Sequence, residues 1–323
     1  MDAEGLVVVA GEALVDLARD TQGALVPRLG GGPFNTARAL GRLGRPAAFI
    51  GAVSRDRFGE QLAGALADDG VILDGRLRTD RSTSLAMAEV DERGVATYRF
   101  YISGTSAEAL EPQTALAALP EAVSALHVGG LGLVLEPLAQ AVEALVERLA
   151  GRALVIVDPN VRPSLIDDPD RYAARLGRMM ARADVVKASD DDLHALYPGR
   201  PAGASAEALL GLGPKLVLLT LGETGAQAFG AFRAFHVEAP QVSVADTIGA
   251  GDAFSGAWLA RWLRLGARLD DRDAVRDATA FACRAAALSC TRPGACPATQ
   301  AELAEFHDRA RRPVRRRPGG RGR

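Results

Sequence analysis

The sequence predicts an α/β fold built on a mainly parallel sheet, with helices covering both faces. Short apolar runs alternate with amphipathic helical segments along most of the 323 residues, which is the pattern of repeated βαβ units. One β-hairpin interrupts this alternation: alternating runs at 85–90 and 95–101 flank the turn Asp91 to Gly94. We therefore expect a large layered body with a separate small β structure formed by this hairpin.

The elements follow one another in a regular order. The opening run Leu6 to Ala10 is a buried-strand pattern, and a second short strand covers 14–17. Gly30-Gly31-Gly32-Pro33 then breaks the chain just before a helix, since proline is favoured in the first helical turn. A second hairpin is predicted between Thr220 and Val237. The other predicted strands are 47–53, 125–128, 153–157, 184–187 and 215–220, and the predicted helices are 34–43, 57–67, 137–149, 171–181, 190–196, 250–265 and 272–288.

Composition narrows the class of protein. A chain that is 48% hydrophobic and 24% charged can bury a sizeable core, and a formal charge of -2 gives no electrostatic basis for a nucleic-acid or membrane partner. The exception is the segment 311–323, which is basic and rich in proline and glycine and is predicted to be a disordered tail. Three cysteines without a C-x-x-C pair indicate reduced thiols, and the N-terminus lacks a signal-peptide pattern. These features predict a cytoplasmic protein.

Lysine is almost absent, which limits the ways in which the chain could bind phosphate. Only Lys187 and Lys215 occur, and neither follows a glycine in a Gly-Lys-Ser/Thr step. The sequence also has no G-x-G-x-x-G fingerprint. We therefore expect phosphate charge to be met by backbone amides, a metal ion and arginine.

The stretch Asp246-Thr247-Ile248-Gly249-Ala250-Gly251-Asp252 carries the most chemical information. Two carboxylates surround a glycine-rich turn that opens directly into a predicted helix. Glycines allow successive amides to converge on one point, and the helix dipole favours an anion there. Asp252 would lie in the first helical turn, where it could accept a proton from an attacking hydroxyl. This layout is typical of a phosphoryl-transfer site.

Other polar segments follow the ends of predicted strands. In an open parallel sheet, ligands bind beyond the carboxyl ends of the strands. That rule brings four segments to one edge: Asp158 to Arg162, Ser189 to Asp192, Gly222 to Gly225, and Asp246 to Asp252.

Two patterns together resemble the ribokinase-like, or PfkB, family of sugar kinases. They are Gly30-Gly31-Gly32-Pro33-Phe34-Asn35-Thr36-Ala37 and Asp246 to Asp252, and their order and separation also match. The resemblance covers about residues 5–305. It implies a Rossmann-like αβα sandwich with a small β-sheet lid, so that one kinase domain spans 1–310 and its lid comes from about 12–30 and 82–105.

The resemblance also implies roles for individual residues. Asp252 is expected to be the catalytic base, and Gly249, Ala250 and Gly251 the anion hole over the transferred phosphoryl group. The residues expected to bind sugar hydroxyls are Asp16, Gly31, Gly32 and Asn35. Because the transfer needs little covalent help, the work of the protein would be alignment, charge neutralisation and exclusion of water.

The family's nucleotide and metal elements have counterparts here. Thr220, Gly222 and Gly225 match a nucleotide-contacting T-x-G-x-x-G turn, and Ser189, Gly249 and Gly251 are expected to contact ATP as well. The family's N-x-x-E element reads Ser189-Asp190-Asp191-Asp192, so Asp192 is expected to reach Mg²⁺ through water, although it is one methylene shorter than glutamate. The resemblance further suggests a monovalent cation such as K⁺ and a homodimer formed through the lid.

Two residues bear on the choice of sugar. Arg162 completes a D-x-N-x-R pattern found in the fructokinase and 2-keto-3-deoxygluconate kinase branches, where a guanidinium could bind sugar oxygens, a carboxylate or polyphosphate. Tyr101 is expected to line the sugar pocket. Those branches often carry arginine after this tyrosine, whereas this chain has Ile102.

The resulting hypothesis is ATP-dependent phosphorylation of a sugar's primary hydroxyl by a fructokinase-like enzyme. A 2-keto-3-deoxygluconate kinase and a nucleoside kinase are alternative enzymes. A non-catalytic sugar or nucleotide sensor is the alternative from another class, suggested by the altered Ser189 to Asp192 element.

Overall fold

A computed structural model describes residues 5–19, 23–90 and 96–311 of the chain. The predicted turn at Asp91 to Gly94 and the basic tail after Arg311 lie outside the described residues. The strands are β1 Leu6–Ala10, β2 Leu14–Arg19, β3 Leu25–Gly30, β4 Ala47–Ile50, β5 Val53–Ser54, β6 Val71–Leu73, β7 Arg78–Thr79, β8 Leu85–Val90, β9 Ala96–Tyr101, β10 Val123–Gly129, β11 Leu154–Asp158, β12 Val185–Ser189, β13 Leu216–Thr220, β14 Ala226–Gly230 and β15 Phe235–Val237. The helices are α1 Gly32–Arg42, α2 Arg57–Asp68, α3 Pro112–Ala117, α4 Leu138–Leu149, α5 Pro169–Met180, α6 Asp190–Leu196, α7 Ala202–Leu210, α8 Ala250–Leu265, α9 Arg272–Ser289 and α10 Gln300–Arg311.

A nine-stranded sheet forms the centre of the molecule, in the order β15-β14-β13-β12-β11-β10-β1-β4-β6. Strands β13 to β6 in this order pair in parallel, and β14 and β15 add an antiparallel edge. A second sheet has four strands in the order β3-β2-β8-β9. The predicted α/β class with a mainly parallel sheet and a small second sheet is therefore confirmed.

Helices cover both faces of the large sheet because its strands are apolar on both sides. In β1, Val7 and Val9 pack into the core cluster that includes α1, α2, α8 and α9, whereas Val8 and Ala10 pack into the cluster of α4, α5 and α7. Within the described residues, no helix has the length and apolar character needed to cross a bilayer.

Close packing between α1 and α8 brings the first and last motifs together. Phe34 of α1 is fully buried and meets Phe49 of β4 edge to face at 6.4 Å; burial of such a side chain contributes roughly 1.5–3 kcal/mol. A Cβ on Gly256 of α8 would lie 2.7 Å from Ala39 Cβ, so only glycine permits this approach. The two helix N-termini are consequently neighbours.

Several short elements differ from the prediction. The predicted strand 47–53 was wrong at its end: β4 stops at Ile50, the chain bends at Gly51, and Val53 belongs to the separate short strand β5. Strands β3, β6 and β7 and helices α3, α7 and α10 were not predicted. Helix α8 begins and ends where it was predicted.

Candidate active site

Two adjoining cavities open beyond the carboxyl ends of the central strands. The larger, of about 630 Å³, is bordered by Asp16 of β2 and Phe100 of β9, and we call it the small-sheet cavity. The smaller, of about 390 Å³, is bordered by Thr220 of β13 and Cys290 after α9, and we call it the α9 cavity. Residues that line both cavities are Asn160, Lys187, Asp191, Thr247, Ala250 and Gly251.

The turn before α8 is fixed by Asp246. Its Oδ1 accepts a hydrogen bond from Ile248 N at 3.0 Å, and its Oδ2 accepts one from Gly294 N at 2.8 Å. Gly249 is the N-cap of α8 with a φ of 77°, and a Cβ there would meet Ala295 Cβ at 2.6 Å. Glycine is thus required at this position both by conformation and by space. The amides that follow it open onto the boundary between the two cavities.

Asp252 lies in the first turn of α8 and lines the small-sheet cavity. Its Oδ2 accepts a hydrogen bond from Asn35 Nδ2 at 2.9 Å. Burial raises the pKa of Asp252 to about 6, while the Asn35 hydrogen bond and the Lys187 charge oppose the rise. The carboxylate is therefore a stronger base than an ordinary aspartate and is still ionised at neutral pH.

The glycines at the start of α1 allow groups from four parts of the chain to meet. A Cβ on Gly32 would lie 3.1 Å from Asn160 Nδ2 and 3.3 Å from Asp252 Oδ1. Gly31 has a φ of 106°, and a Cβ there would lie 2.7 Å from the Glu12 carbonyl oxygen. A larger residue at Gly32 would push into the space beside Asp252, and a larger residue at Gly31 would push against the backbone of Glu12.

Asp16 and Arg162 both line the small-sheet cavity, as expected of sugar-binding residues. Burial raises the pKa of Asp16 to about 6, and the Arg162 guanidinium opposes the rise. Arg162 Nη1 donates to the carbonyl oxygens of Asn160 and Val161, each at 3.1 Å. Hydrogen bonds to its own loop therefore hold the guanidinium in place. Its positive charge acts on the carboxyl groups of Asp16 and Asp252.

Glu12, two residues after the end of β1, also lines the small-sheet cavity although it is only 4% exposed. Its Oε1 accepts a hydrogen bond from Gly32 N at 3.2 Å. Burial raises the pKa of Glu12 to about 8, with a further rise from Asp252 and an opposing effect of the Gly32 amide and Arg162. At neutral pH this side chain is mostly a neutral acid.

Lys187 is a buried cation at the boundary between the cavities. It lies between Asp158 and the start of α8. Its Nζ is 2.8 Å from Asp158 Oδ2 and 2.9 Å from the point where a Cβ on Gly251 would be. Burial alone would lower the pKa of Lys187, but the charges of Asp158, Asp192 and Asp252 outweigh it, and the net shift is upward. The ammonium group is therefore a fixed positive charge facing the anion hole.

The residues expected to contact the nucleotide gather around the α9 cavity. Ser189, Thr220, Gly222 and Gly225 all line it. Gly225 has a φ of 112°, and a Cβ there would lie 2.0 Å from the Val237 carbonyl oxygen, so the turn requires glycine. Ala250 and Gly251 line this cavity as well, whereas Gly249 lines the small-sheet cavity.

Asp192 is buried, and both its carboxylate oxygens already accept hydrogen bonds. Oδ1 accepts from Val161 N at 2.6 Å, and Oδ2 accepts from Ser189 N at 2.8 Å and from Ser189 Oγ at 2.7 Å. These contacts make a capping box at α6. Asp191, in contrast, is exposed and lines both cavities.

Tyr101, which was expected to line the sugar pocket, is not among the residues that border the small-sheet cavity. Phe100, not Tyr101, is among the residues that line the small-sheet cavity, and Tyr101 is 48% exposed. Neighbouring residues of a strand point to opposite faces, so the two side chains cannot both face the cavity. The sequence pattern located the strand, and a role for Tyr101 in sugar binding stays a prediction.

One acidic and one basic residue of the site were not predicted from the sequence, namely Glu12 and Lys187. Both stand at the carboxyl ends of parallel strands, where the rule that gathered the other motifs applies equally. The signal available for Lys187 was its rarity, since it is one of two lysines in the chain. The expectation that phosphate charge is met by backbone amides, a metal ion and arginine gave Lys187 no role, although its ammonium group faces the start of α8.

Known proteins similar to this chain are sugar kinases. Residues 4–302 match the pfkB family carbohydrate kinase pattern. A fructokinase of Rhizobium leguminosarum bv. trifolii is 38% identical over 259 residues, which is 79% of this chain and 79% of that protein.

Solved fructokinases with the same fold hold ATP, or fructose together with ADP. Fructokinase with bound ATP from Xylella fastidiosa has a TM-score of 0.84 and 26% identity, covering 94% of this chain and 98% of that one. Fructokinase from Vibrio cholerae O395 in its fructose, ADP and calcium ion bound form has a TM-score of 0.84 and 29% identity, covering 94% of this chain and 99% of that one. A double-mutant form of the Vibrio protein holds fructose, ADP and a potassium ion. This chain belongs to the pfkB family of carbohydrate kinases, and it is an ATP-dependent sugar kinase.

Proposed function

We propose that this kinase transfers the terminal phosphoryl group of ATP to a primary hydroxyl of fructose, with Asp252 as the base. The observation that carries the proposal is the location of Asp252: it lines the small-sheet cavity, and the two residues before it, Ala250 and Gly251, line both cavities. A sugar in one cavity and a nucleotide in the other would therefore meet at this point.

The proposed chemistry is direct, in-line transfer. Asp252 accepts the proton of the sugar hydroxyl as its oxygen bonds to phosphorus; a carboxylate suffices because the hydroxyl becomes acidic during that step. The amides of Gly249, Ala250 and Gly251 and the ammonium of Lys187 stabilise the charge on the transferred group. Asn35, Asp16 and the backbone at Gly31 and Gly32 orient the sugar. The small sheet acts as a lid that excludes water.

The charges around the small-sheet cavity favour a neutral sugar over a sugar acid. Four acids, Glu12, Asp16, Asp191 and Asp252, line this cavity. The charge of Arg162 acts on three of them, Glu12, Asp16 and Asp252. A guanidinium already shared in this way is a weak partner for a substrate carboxylate. This supports fructose rather than 2-keto-3-deoxygluconate as the substrate.

We propose Mg²⁺ as the metal, bound mainly by the nucleotide. Among the described residues no cluster of three or more histidine, cysteine, aspartate or glutamate side chains is arranged to hold a metal. Magnesium bound to ATP needs only one or two carboxylates and keeps several waters, so the acids at the start of α6 fit it. Asp191, which is exposed at both cavities, is better placed than the fully engaged Asp192 to reach that water shell. The metal would neutralise charge on the phosphates.

Three further proposals concern a monovalent cation, the oligomeric state and the location of the enzyme. A monovalent cation such as K⁺ activates the enzyme, as the potassium-bound Vibrio form suggests. An equal kcat with tetramethylammonium in place of K⁺ would contradict this.

A homodimer forms through the small sheet, whose edge strands expose Leu25 (47%) and Tyr101 (48%). A monomeric mass by light scattering would contradict it. A cytoplasmic location, supported by three free thiols, would be contradicted by export of the tagged protein.

A panel of acceptors tests the substrate assignment. ATP consumption is measured with magnesium and fructose, aldohexoses, 2-keto-3-deoxygluconate and nucleosides, each at several concentrations. The proposal expects the highest kcat/KM with fructose. A higher value with the sugar acid or a nucleoside would contradict it, and binding of sugar without turnover of any acceptor would favour a sensor.

A further inference from the structure

Glu12 is a buried acid to which the proposed transfer assigns no role. Its Oε1 accepts the hydrogen bond from Gly32 N, the first amide of α1, at 3.2 Å. Its Oε2 is buried and has no hydrogen-bond partner among the described residues. A buried polar atom without a partner costs free energy, and the cost is much larger when the group is ionised than when it is protonated.

The carboxyl group of Glu12 is enclosed by the backbone of two loops. A Cβ on Gly130, after β10, would lie 2.7 Å from Oε1 and 3.1 Å from Oε2. On the other side, Gly31 packs against the Glu12 carbonyl oxygen and Gly32 donates to its side chain. The side chain therefore joins the loop before α1 to the loop after β10, and both loops border the small-sheet cavity.

The charged groups facing Glu12 come from two other elements. Asp252 of α8 faces it as a like charge, and Arg162 after β11 faces it as an opposite charge. A Cβ on Gly32 would lie 3.3 Å from Asp252 Oδ1 and 3.9 Å from Glu12 Oε1. The two carboxyl groups therefore approach the same point beside Gly32. An ionised Glu12 would place a second negative charge beside Asp252, where phosphate charge must also be accommodated.

We propose that Glu12 is a positioning residue that works as a neutral carboxylic acid, fixing Gly32 while adding no charge beside Asp252, and that its ionisation sets the alkaline limit of catalysis. This inference rests on the proposed role of Asp252. Burial of the carboxyl group favours its neutral form and raises the pKa of Glu12 to about 8.

The variant Glu12→Gln tests the proposal through the pH profile of kcat/KM, each profile being normalised to its own maximum. Glutamine retains an oxygen that can accept from Gly32 N but carries no charge at any pH. The wild type is expected to lose on the order of 10- to 100-fold as pH rises through about 8, which is the effect of one added charge near the reacting groups. Glu12→Gln should lack this decline, and Glu12→Asp should retain it.

A second measurement reports on Glu12 without any turnover. Because folding raises the pKa of Glu12 from 4.5 to about 8, its contribution to the free energy of unfolding is greatest below the lower value and is lost as pH rises to the upper one. Urea unfolding of Glu12→Gln should therefore show a stability that gains on the wild type across this range.

The two measurements separate the possible failures. Equal alkaline declines in wild type and Glu12→Gln, or a constant difference in stability between them at every pH, would overturn the proposal for Glu12. A fully active Asp252→Asn would instead overturn the assigned base, while the pH dependence of stability would still report the protonation of Glu12.

Discussion

Asn35 Nδ2 donates a hydrogen bond of 2.9 Å to Asp252 Oδ2, and so connects two residues that are 217 positions apart in the chain. The contact exists because α1 and α8 pack closely at Gly256. It stabilises the ionised form of Asp252 and directs one carboxylate oxygen toward Asn35, leaving Oδ1 beside Gly32 at the small-sheet cavity. Two motifs from opposite ends of the sequence thus form one functional unit.

We predict that Asn35→Ala shifts the acid limb of the kcat/KM profile to higher pH. The limb reports the pKa of Asp252, about 6 in the wild type, and loss of a donor to the carboxylate raises it. Thr36→Val is the matched control, because Thr36 Oγ1 donates only to the Asp252 backbone oxygen, at 3.4 Å. An unmoved limb in Asn35→Ala, measured over the same pH range, would refute the assignment.

We predict that Lys187→Met lowers kcat by about 10²- to 10³-fold, the loss typical of removing one group that stabilises transition-state charge. It should also lower the free energy of unfolding by roughly 3–5 kcal/mol, because Asp158 is left buried without its partner. The measurements are steady-state kinetics and urea unfolding. Lys215→Met is the control: Lys215 lies 2.7 Å from Asp184 Oδ1 but is 68% exposed, and such pairs are worth about 0–1 kcal/mol.

The double variant Lys187→Met with Asp158→Asn separates stability from catalysis. Removing both charges should restore much of the lost stability, since no unpaired charge remains buried. We predict that kcat stays low. Recovery of kcat together with stability would show that Lys187 is only a structural residue.

We predict that Asp191→Asn raises the Mg²⁺ concentration needed for half-maximal activity, whereas Asp192→Asn mainly destabilises the fold. Asparagine at 192 would turn one acceptor toward Ser189 or Val161 into a donor, at a cost of roughly 1–3 kcal/mol. Magnesium titrations at fixed ATP, together with thermal unfolding, distinguish the two effects. An Asp192→Asn protein of normal stability with the larger magnesium shift would reverse the assignment.

The layered architecture was predictable because its causes are local. Apolar runs such as Leu6–Ala10 and the turn into α8 at Gly249 and Ala250 carry their signals within a few residues. The convergence of motifs on one sheet edge follows from parallel topology alone. The short strand β3 and helix α7 have little periodicity of their own and depend on tertiary packing, so the sequence did not reveal them.

Parts of the site depend on long-range geometry and could not be read from the sequence. The face on which Phe100 or Tyr101 lies depends on the strand register, since a shift of one residue exchanges the two. The raised pKa of Glu12 arises from burial that becomes apparent only when Gly32 and Gly130 are brought together. Likewise, no pattern near Lys187 in the sequence indicates that Gly251 is its neighbour in the structure.

Single-turnover transfer from ATP to fructose by Asp252→Asn tests the central claim most directly. Asparagine preserves the size of the side chain and an oxygen that can accept from Asn35, but it cannot take the hydroxyl proton. We predict that the transfer rate falls about 10²- to 10⁴-fold, while calorimetry shows that both fructose and ATP still bind. Transfer at the wild-type rate by a protein that binds both substrates would contradict the assignment of Asp252 as the base.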